Sequence, residues 1–207
     1  MMRKLFFLLP VLTLISIKNL DQTINQDGLV DLKDVSVSFT YEVRYATTNN
    51  FLKTAVYECE RCLLQDEVAK SLDLANTYFC EMGYRIRLFD CYRPLSVQKK
   101  MWKIYPNPTY VANPYTKKSV HNRGAAVDLT LEDLETGKML DMGTDYDFFG
   151  REAHQDNMSL PKEVLENRKI LREGMQKFGF QPIRTEWWHY SYRKNYRYPV
   201  MDDPLCD

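Results

Sequence analysis

The sequence has no excess of either charge, because 28 acidic side chains balance 28 basic ones across its 207 residues. No block of like charge stands out either, so the sequence lacks the electrostatic footprint of a nucleic-acid-binding protein or a basic membrane patch. Internal repeats and linker-like stretches are also absent, and a chain of this length can bury one hydrophobic core. We therefore expect one domain, over residues 25–207, that does not bind nucleic acid.

Long apolar runs are absent except near the N-terminus, where the basic segment MMRK precedes an apolar run from Leu5 to Ile17. This run is shorter than the roughly 20 residues that span a bilayer, and it has the charge order of a secretory signal peptide. Neither an A-x-A cleavage pattern nor a lipoprotein-type cysteine follows it. We expect residues 1–20 to be a signal peptide for export to a bacterial periplasm, without stable membrane insertion after cleavage. The alternatives are an uncleaved membrane anchor and a cytoplasmic protein.

Cysteine is scarce, with five residues, and the odd number leaves at least one of them unpaired. The segment CERC, Cys59–Cys62, has C-x-x-C spacing, but no second C-x-x-C is present to complete a zinc site. One or two disulfides are compatible with an exported protein. The pairing among Cys59, Cys62, Cys80, Cys91 and Cys206 stays open.

The hydrophobic pattern mixes strands and helices irregularly. Strict alternation predicts strands over Val35–Tyr45 and Tyr84–Asp90, and an apolar stripe predicts a helix over Gln65–Met82 that Gly83 ends. The other predicted elements are a short helix from Pro94 to about Tyr105, a strand over Gly124–Leu131, a helix from about Pro161 to Phe178 and a strand over about Trp187–Tyr192. This order predicts an α+β fold, a single domain with a central, largely antiparallel sheet flanked by helices.

Histidine is also scarce, with three residues, and one of them lies in the segment SVHNRGAAVDLTL. On the predicted strand Asp128 points away from the side of Val127 and Leu129, so its carboxylate can face a site. His121 and Asp128 are both good zinc ligands, and a third protein ligand would leave a position open for water, as in catalytic zinc sites. His189 is the natural third ligand. Alternatively, Asp128 is a surface residue and His121 stabilises a turn.

The most aromatic stretch, TEWWHY, places Glu186 three residues before His189. A carboxylate close to a metal can act as general base on water. Residues i and i+3 of a regular strand point to opposite faces, so we expect Glu186 either in the loop before the strand or beside a β-bulge. The two tryptophans either pack in the core or form walls of the site, whereas His154, in a polar loop, is expected to be solvated.

A third segment, DCYRP, places Arg93 where a strand gives way to a helix. A guanidinium held at such a junction can stabilise an oxyanion or bind a carboxylate through two hydrogen bonds. A structural arginine that binds a backbone carbonyl is an equally good interpretation of these residues alone.

Together, SVHNRGAAVDLTL, DCYRP and EWWHY resemble the zinc D-alanyl-D-alanine dipeptidases of the VanX type. Members of this wider group of D-Ala-D-Ala peptidases share S-x-H-x6-D and a C-terminal E-x-x-H. The segments VRYATTNNF and MGTDYDF look like the same family, so the resemblance covers roughly residues 28–192. Any one of these motifs is weak, but their occurrence in the same order makes the resemblance specific.

The resemblance implies one Zn²⁺ per chain and a small D,D-dipeptide substrate. Its zinc ligands would be His121, Asp128 and His189. Glu186 would be the catalytic base and Arg93 would stabilise the transition state. Ser119 and Asp147 would lie near the dipeptide, with Asp147 binding its free ammonium group.

The expected activity is hydrolysis of D-Ala-D-Ala to D-alanine. Because an exported enzyme cannot compete with cytosolic cell-wall precursor synthesis, salvage or turnover of peptidoglycan fragments is the expected role. The alternatives are a D,D-carboxypeptidase or peptidoglycan endopeptidase with an open cleft, and a non-catalytic module that binds cell-wall peptides. Loss of Glu186 would mark the last of these, and Glu186 is present.

Overall fold

The structure, a computed structural model, describes residues 28–206, so the predicted signal peptide lies outside the described residues. The helices in this range are α1 Leu32–Val35, α2 Asp66–Glu81, α3 Leu95–Ile104 and α4 Lys162–Lys177. The strands are β1 Leu29–Asp31, β2 Thr40–Tyr41, β3 Leu63–Gln65, β4 Tyr84–Asp90, β5 Ala126–Asp133, β6 Phe180–Ile183 and β7 Glu186–Tyr192. None of these helices has the length and apolar character that crossing a membrane requires.

Five strands form the central sheet, in the order β2-β4-β5-β7-β6. Only the short β2 runs parallel to its neighbour, and every other pairing in the sheet is antiparallel. Strands β1 and β3 form a separate antiparallel pair. The α+β prediction with a largely antiparallel sheet is confirmed.

The long helices α2 and α4 contact each other and lie against the sheet through β4 and β6. The stripe predicted for the first of them is buried at Val68, Ala69, Leu72, Ala75 and Phe79, whereas Met82 at its end is 42% exposed. Both helices end where expected, because Gly83 and Gly179 follow them with positive φ angles of 86° and 88°. The apolar side of β5, with Val127, Leu129 and Leu131, belongs to the same core.

The predicted strand over Val35–Tyr45 is wrong for most of its length. Only Thr40–Tyr41 pairs with β4, and the apolar side chain of Val37 is 98% exposed. The Ser36 hydroxyl accepts a hydrogen bond from the Ser38 backbone N–H at 3.4 Å and contacts the Ser38 hydroxyl at 2.8 Å. Such local bonds compete with a sheet ladder, so the chain turns here instead of pairing.

Two disulfides join segments that are distant in the sequence. Cys62 pairs with Cys91, and Cys59 pairs with Cys206 near the C-terminus. Cys80 on α2 is free. The two cysteines of CERC therefore bind different partners, and the expected number of disulfides and the odd cysteine are confirmed.

Candidate active site

Three predicted ligands come together at one end of the sheet. The Nε2 atom of His121 lies 3.2 Å from Nδ1 of His189 and 3.3 Å from Oδ1 of Asp128. The same Oδ1 lies 2.9 Å from Nδ1 of His189. All three residues are at most 8% exposed. Among the described residues, these three side chains form a group whose ligand atoms lie close enough together to hold a metal ion.

The sequence places these ligands through two adjacent strands and one tight turn. Asp128 on β5 and His189 on β7 are register partners, so their side chains project from the same face of the sheet. His121 lies in a short 3₁₀ helix, Val120–Arg123, whose first backbone N–H groups are capped by Ser119. Gly124 ends this helix at φ 61°, where an added Cβ would lie 2.5 Å from a Leu29 methyl group. Only glycine therefore fits the turn between His121 and β5.

Neighbouring groups determine which ring nitrogens can bind a metal. Nδ1 of His121 lies 2.7 Å from the Cys91 carbonyl oxygen, which only accepts, so this nitrogen carries the proton. Nε2 of His189 lies 3.0 Å from the Ser191 hydroxyl. With the proton of His189 on that nitrogen, the three converging atoms are all acceptors, and no donor lies between them. Such an arrangement suits a metal cation bound between them.

The spacing of the three atoms fits a zinc ion. Tetrahedral Zn²⁺ with bonds of about 2.0–2.1 Å holds its ligand atoms about 3.3 Å apart. The observed edges of 3.2, 3.3 and 2.9 Å form one face of such a tetrahedron. Burial raises the pKa of Asp128, but His121 and His189 outweigh it and hold this pKa below its usual range. The carboxylate is therefore charged, as a metal ligand must be.

A cavity of about 260 Å³ opens onto the three ligands. Its lining includes every other predicted site residue, namely Arg93, Ser119, Asp147 and Glu186. This volume is below the roughly 300–1,000 Å³ of pockets for drug-sized ligands, so the cavity suits a small substrate. The structure thus brings all seven predicted site residues together.

Glu186 is the first residue of β7, where the pairing with β6 is irregular. Pro182 pairs with Tyr190 while the next residue, Ile183, pairs with Glu186, so three residues of β7 have no partner on β6. The loop position expected for Glu186 is wrong, whereas the alternative of a bulge is confirmed. Burial raises the pKa of Glu186 to about 7, with a further rise from Asp128 that His189 and Arg93 oppose.

Arg93 is buried and held on two sides. Its guanidinium forms an ion pair with Asp90, and its Nη1 donates to the Gln98 side-chain oxygen at 2.9 Å. The Tyr45 ring lies 5.1 Å from the guanidinium carbon. These contacts aim the cation into the cavity, so the interpretation of Arg93 as an arginine that only binds a carbonyl is not supported by the structure.

Asp147 faces the same cavity from the loop after β5. Its φ angle of 59° is positive, a conformation that aspartate tolerates better than most residues. The Tyr45 hydroxyl donates to it at 2.9 Å. Burial and repulsion from Asp128 raise the pKa of Asp147 well above its usual range. A cation beside this carboxylate would relieve both effects.

The aromatic residues and the third histidine have separate places. Trp188 lines the cavity, whereas Trp187 is buried and donates from Nε1 to the Thr144 hydroxyl at 2.8 Å. One tryptophan is therefore a wall of the site and the other packs in the core. His154 lies apart from the ligands near the surface, where Arg151 and Arg184 contact its Nδ1 at 3.0 and 3.2 Å.

Several supporting residues were not predicted, and three of them lie beside Asp128, His189 and Arg93. The Tyr146 hydroxyl donates to Oδ2 of Asp128 at 3.0 Å, Ser191 contacts His189, and Gln98 holds Arg93. Ser191 could have been found, because it lies two residues after His189 on the same face of a strand. Tyr146 and Gln98 give no such signal, since a loop and a separate helix bring them to the site.

Residues 25–205 match the peptidase M15 family, described as D-ala-D-ala dipeptidase. The chain is 36% identical to the D-alanyl-D-alanine dipeptidase of Escherichia coli strain K12, covering 84% of this chain and 90% of that protein. It is 32% identical to the D-alanyl-D-alanine dipeptidase of Enterococcus faecalis, covering 88% and 96%. A solved structure of VanYB in complex with D-alanine-D-alanine is 17% identical, with a TM-score of 0.43 over 63% of this chain and 72% of that chain. The chain is therefore a metallopeptidase of the peptidase M15, D-ala-D-ala dipeptidase, family.

Proposed function

We propose that this chain hydrolyses the dipeptide D-Ala-D-Ala to D-alanine with one Zn²⁺ per chain. The observation that carries the proposal is the triangle of His121 Nε2, Asp128 Oδ1 and His189 Nδ1, which faces a small cavity together with Glu186 and Arg93. Two imidazoles and one carboxylate suit zinc and leave a coordination position open. The relatives named D-alanyl-D-alanine dipeptidase support the choice of substrate.

The protein residues divide the chemistry among them. Bound Zn²⁺ would act as a Lewis acid toward the scissile carbonyl and lower the pKa of water at the site. Glu186, whose pKa is already raised to about 7, takes a proton from the attacking water and delivers it to the leaving amine. Arg93, held by Asp90 and Gln98, stabilises the negative charge that develops on the carbonyl oxygen.

The free amino end of the substrate is assigned to Asp147. Its carboxylate lies in the cavity with no described cation in hydrogen-bond contact, and burial disfavours its charge. An ammonium group would form an ion pair there. A peptide with a blocked amino end would leave this buried carboxylate unpaired, which is a strong basis for rejection. Ser119 is assigned to the substrate more loosely, because its hydroxyl also caps the His121 turn.

The proposed location is outside the cytoplasm, with a role in peptidoglycan salvage or turnover. The two disulfides support it, because such bonds form and persist in oxidising compartments. The N-terminal segment that would direct export lies outside the described residues. Recovery of the protein from cytosol with Met1 still at its N-terminus would overturn the proposal of export.

The activity is tested with zinc-loaded protein and a panel of peptides. D-Ala-D-Ala should be cleaved, whereas L-Ala-L-Ala and a longer peptide ending in D-Ala-D-Ala should be poor substrates. A Glu186→Ala variant should lose activity while it keeps zinc. Equal turnover of the longer peptide would favour a carboxypeptidase or endopeptidase, and unchanged activity of the variant would reject the proposed base.

A further inference from the structure

The disulfide between Cys62 and Cys91 lies directly behind the candidate metal centre. Both cysteines are almost fully buried, at 1% and 3% exposure, and their Cα atoms are 5.2 Å apart. Cys62 immediately precedes β3, and Cys91 immediately follows β4. The bond therefore ties the small two-stranded sheet to the end of the central sheet.

Cys91 contacts a metal ligand through its backbone. Its carbonyl oxygen accepts the hydrogen bond from Nδ1 of His121 at 2.7 Å, the contact that leaves Nε2 free to bind a metal. Its N–H donates to Oδ1 of Asp90 at 3.0 Å, and Asp90 in turn pairs with Arg93. The Arg93 N–H then donates to the His121 carbonyl at 3.1 Å. A shift of Cys91 would therefore move both the ligand and the catalytic arginine.

Cys91 lies just beyond the end of a sheet ladder. The ladder, between β4 and β5, ends at the pair Asp90 and Asp128. Next to Cys91, the Tyr92 N–H donates to the Leu63 carbonyl at 3.0 Å, and this backbone bond joins the segment to β3. The disulfide to Cys62 reinforces the same junction covalently.

We propose that the Cys62–Cys91 disulfide positions His121 for metal binding, so that oxidation of these two thiols completes the metal centre. This inference rests on the proposed function only in that the centre binds a divalent metal. In the oxidation, the two thiols lose two electrons and two protons to a disulfide of an oxidant protein, which becomes a dithiol. Cys91 is a positioning residue here, because it acts through His121. Zinc affinity should therefore depend on the redox state of this disulfide.

The second disulfide supplies a matched control, because Cys59–Cys206 makes no described hydrogen bond to a metal ligand. It closes 147 residues of chain, against 29 for Cys62–Cys91, so its removal should destabilise the fold more. Zinc affinity, measured by competition with a chromophoric chelator and without substrate, should show the opposite order. The Cys62→Ala/Cys91→Ala variant keeps the Cys91 carbonyl but no longer fixes its position, and it should bind zinc about 10- to 100-fold more weakly, the size of effect typical of outer-shell changes. The Cys59→Ala/Cys206→Ala variant should bind within about threefold of the parent protein, as expected when no partner of a ligand changes.

A reduction experiment covers the case in which the first variant does not fold. In Cys59→Ala/Cys206→Ala protein, a phosphine reductant converts the remaining disulfide to two thiols and is itself oxidised to a phosphine oxide with oxygen from water. Zinc affinity should fall about 10-fold or more after reduction, which alkylation and mass measurement confirm. Unchanged affinity of the folded, fully reduced protein would overturn the inference. If the oxidised parent protein binds no zinc at all, the proposed function fails instead.

Discussion

Asp128 and His189 are register partners on two antiparallel strands, and their side chains meet at 2.9 Å between Oδ1 and Nδ1. Two of the three metal ligands are thus placed by regular sheet geometry, where backbone pairing fixes their separation before any metal binds. His121 joins them from a turn that is held by hydrogen bonds to Cys91 and Ser119. The centre is therefore largely preorganised by the fold.

Asp128→Asn should greatly weaken zinc binding, because it keeps the shape of the ligand but removes its charge. Ser191→Ala, which changes an outer-shell partner of His189, should weaken zinc binding by about 10- to 100-fold. We expect Asp128→Asn to weaken it by more than that. Thr130→Val is the matched control on the same face of β5, since the Thr130 hydroxyl is buried without a partner among the described residues. Chelator competition measures all three. Equal zinc affinity of Asp128→Asn and Thr130→Val would remove Asp128 from the centre.

Glu186→Gln should stabilise the metal-free protein at high pH. The pKa of Glu186 is raised to about 7 in the fold, so its ionisation costs stability as pH rises from about 4.5 to above 7. Glutamine does not ionise, and the variant should gain about 1–3 kcal/mol at pH 8 and almost nothing at pH 4. Urea unfolding in a chelating buffer measures both differences. A gain of the same size at both pH values would contradict the raised pKa.

Asp147→Asn should impair the use of D-Ala-D-Ala through the substrate's ammonium group. Asparagine also tolerates the positive φ angle of this position, so the fold should survive. Removing the charge from a buried ion pair costs roughly 2–5 kcal/mol, and kcat/KM should fall by about 30-fold or more. N-acetylated D-Ala-D-Ala, which has no ammonium group, serves as the reference substrate. An equal loss for both peptides would assign Asp147 a structural role instead.

Gly174→Ala should destabilise the protein even though alanine is the better helix former. A Cβ at this buried position of α4 would lie 2.3 Å from the Phe79 ring on α2. Overpacking of this kind costs about 1–3 kcal/mol, which exceeds the gain of up to about 1 kcal/mol in helix propensity. Glu173→Ala, at the exposed neighbouring position, should change stability by less than about 0.5 kcal/mol. Thermal unfolding of the two variants decides, and equal melting temperatures would contradict the close helix packing.

Most of the long elements could be predicted from the sequence because their signals are local. The stripe of α2 with Gly83 behind it, the alternation of β4 and the strand that carries Asp128 all appear in the structure. The strand predicted from the apolar alternation over Val35–Tyr45 was wrong for most of its length. Phe39, Val43 and Tyr45 are each buried by separate tertiary contacts, and only a short part of the segment pairs with a neighbouring strand. Alternation shows which residues can be buried, and it does not show whether a neighbour is available for pairing.

The ligands of the site were predictable from the sequence, whereas most of the residues that support them were not. His121, Asp128 and His189 follow from scarce histidines, a strand that carries a carboxylate and the family motifs. Tyr146 and Gln98 reach the site from a loop and a helix whose positions depend on the whole fold. The pairing of Cys91 with Cys62 is of the same kind, since five cysteines allow many pairings.

The most direct test of the central claim is the kcat/KM of zinc-loaded protein for D-Ala-D-Ala compared with N-acetylated D-Ala-D-Ala. A dipeptidase that binds the free ammonium group should cleave the free dipeptide and discriminate against the blocked one by about 100-fold or more. Glu186→Gln should lower the rate with the free dipeptide by about 100- to 10,000-fold, the usual contribution of a general base. Equal cleavage of the two peptides, or no cleavage of D-Ala-D-Ala by protein shown to contain zinc, would contradict the proposed function.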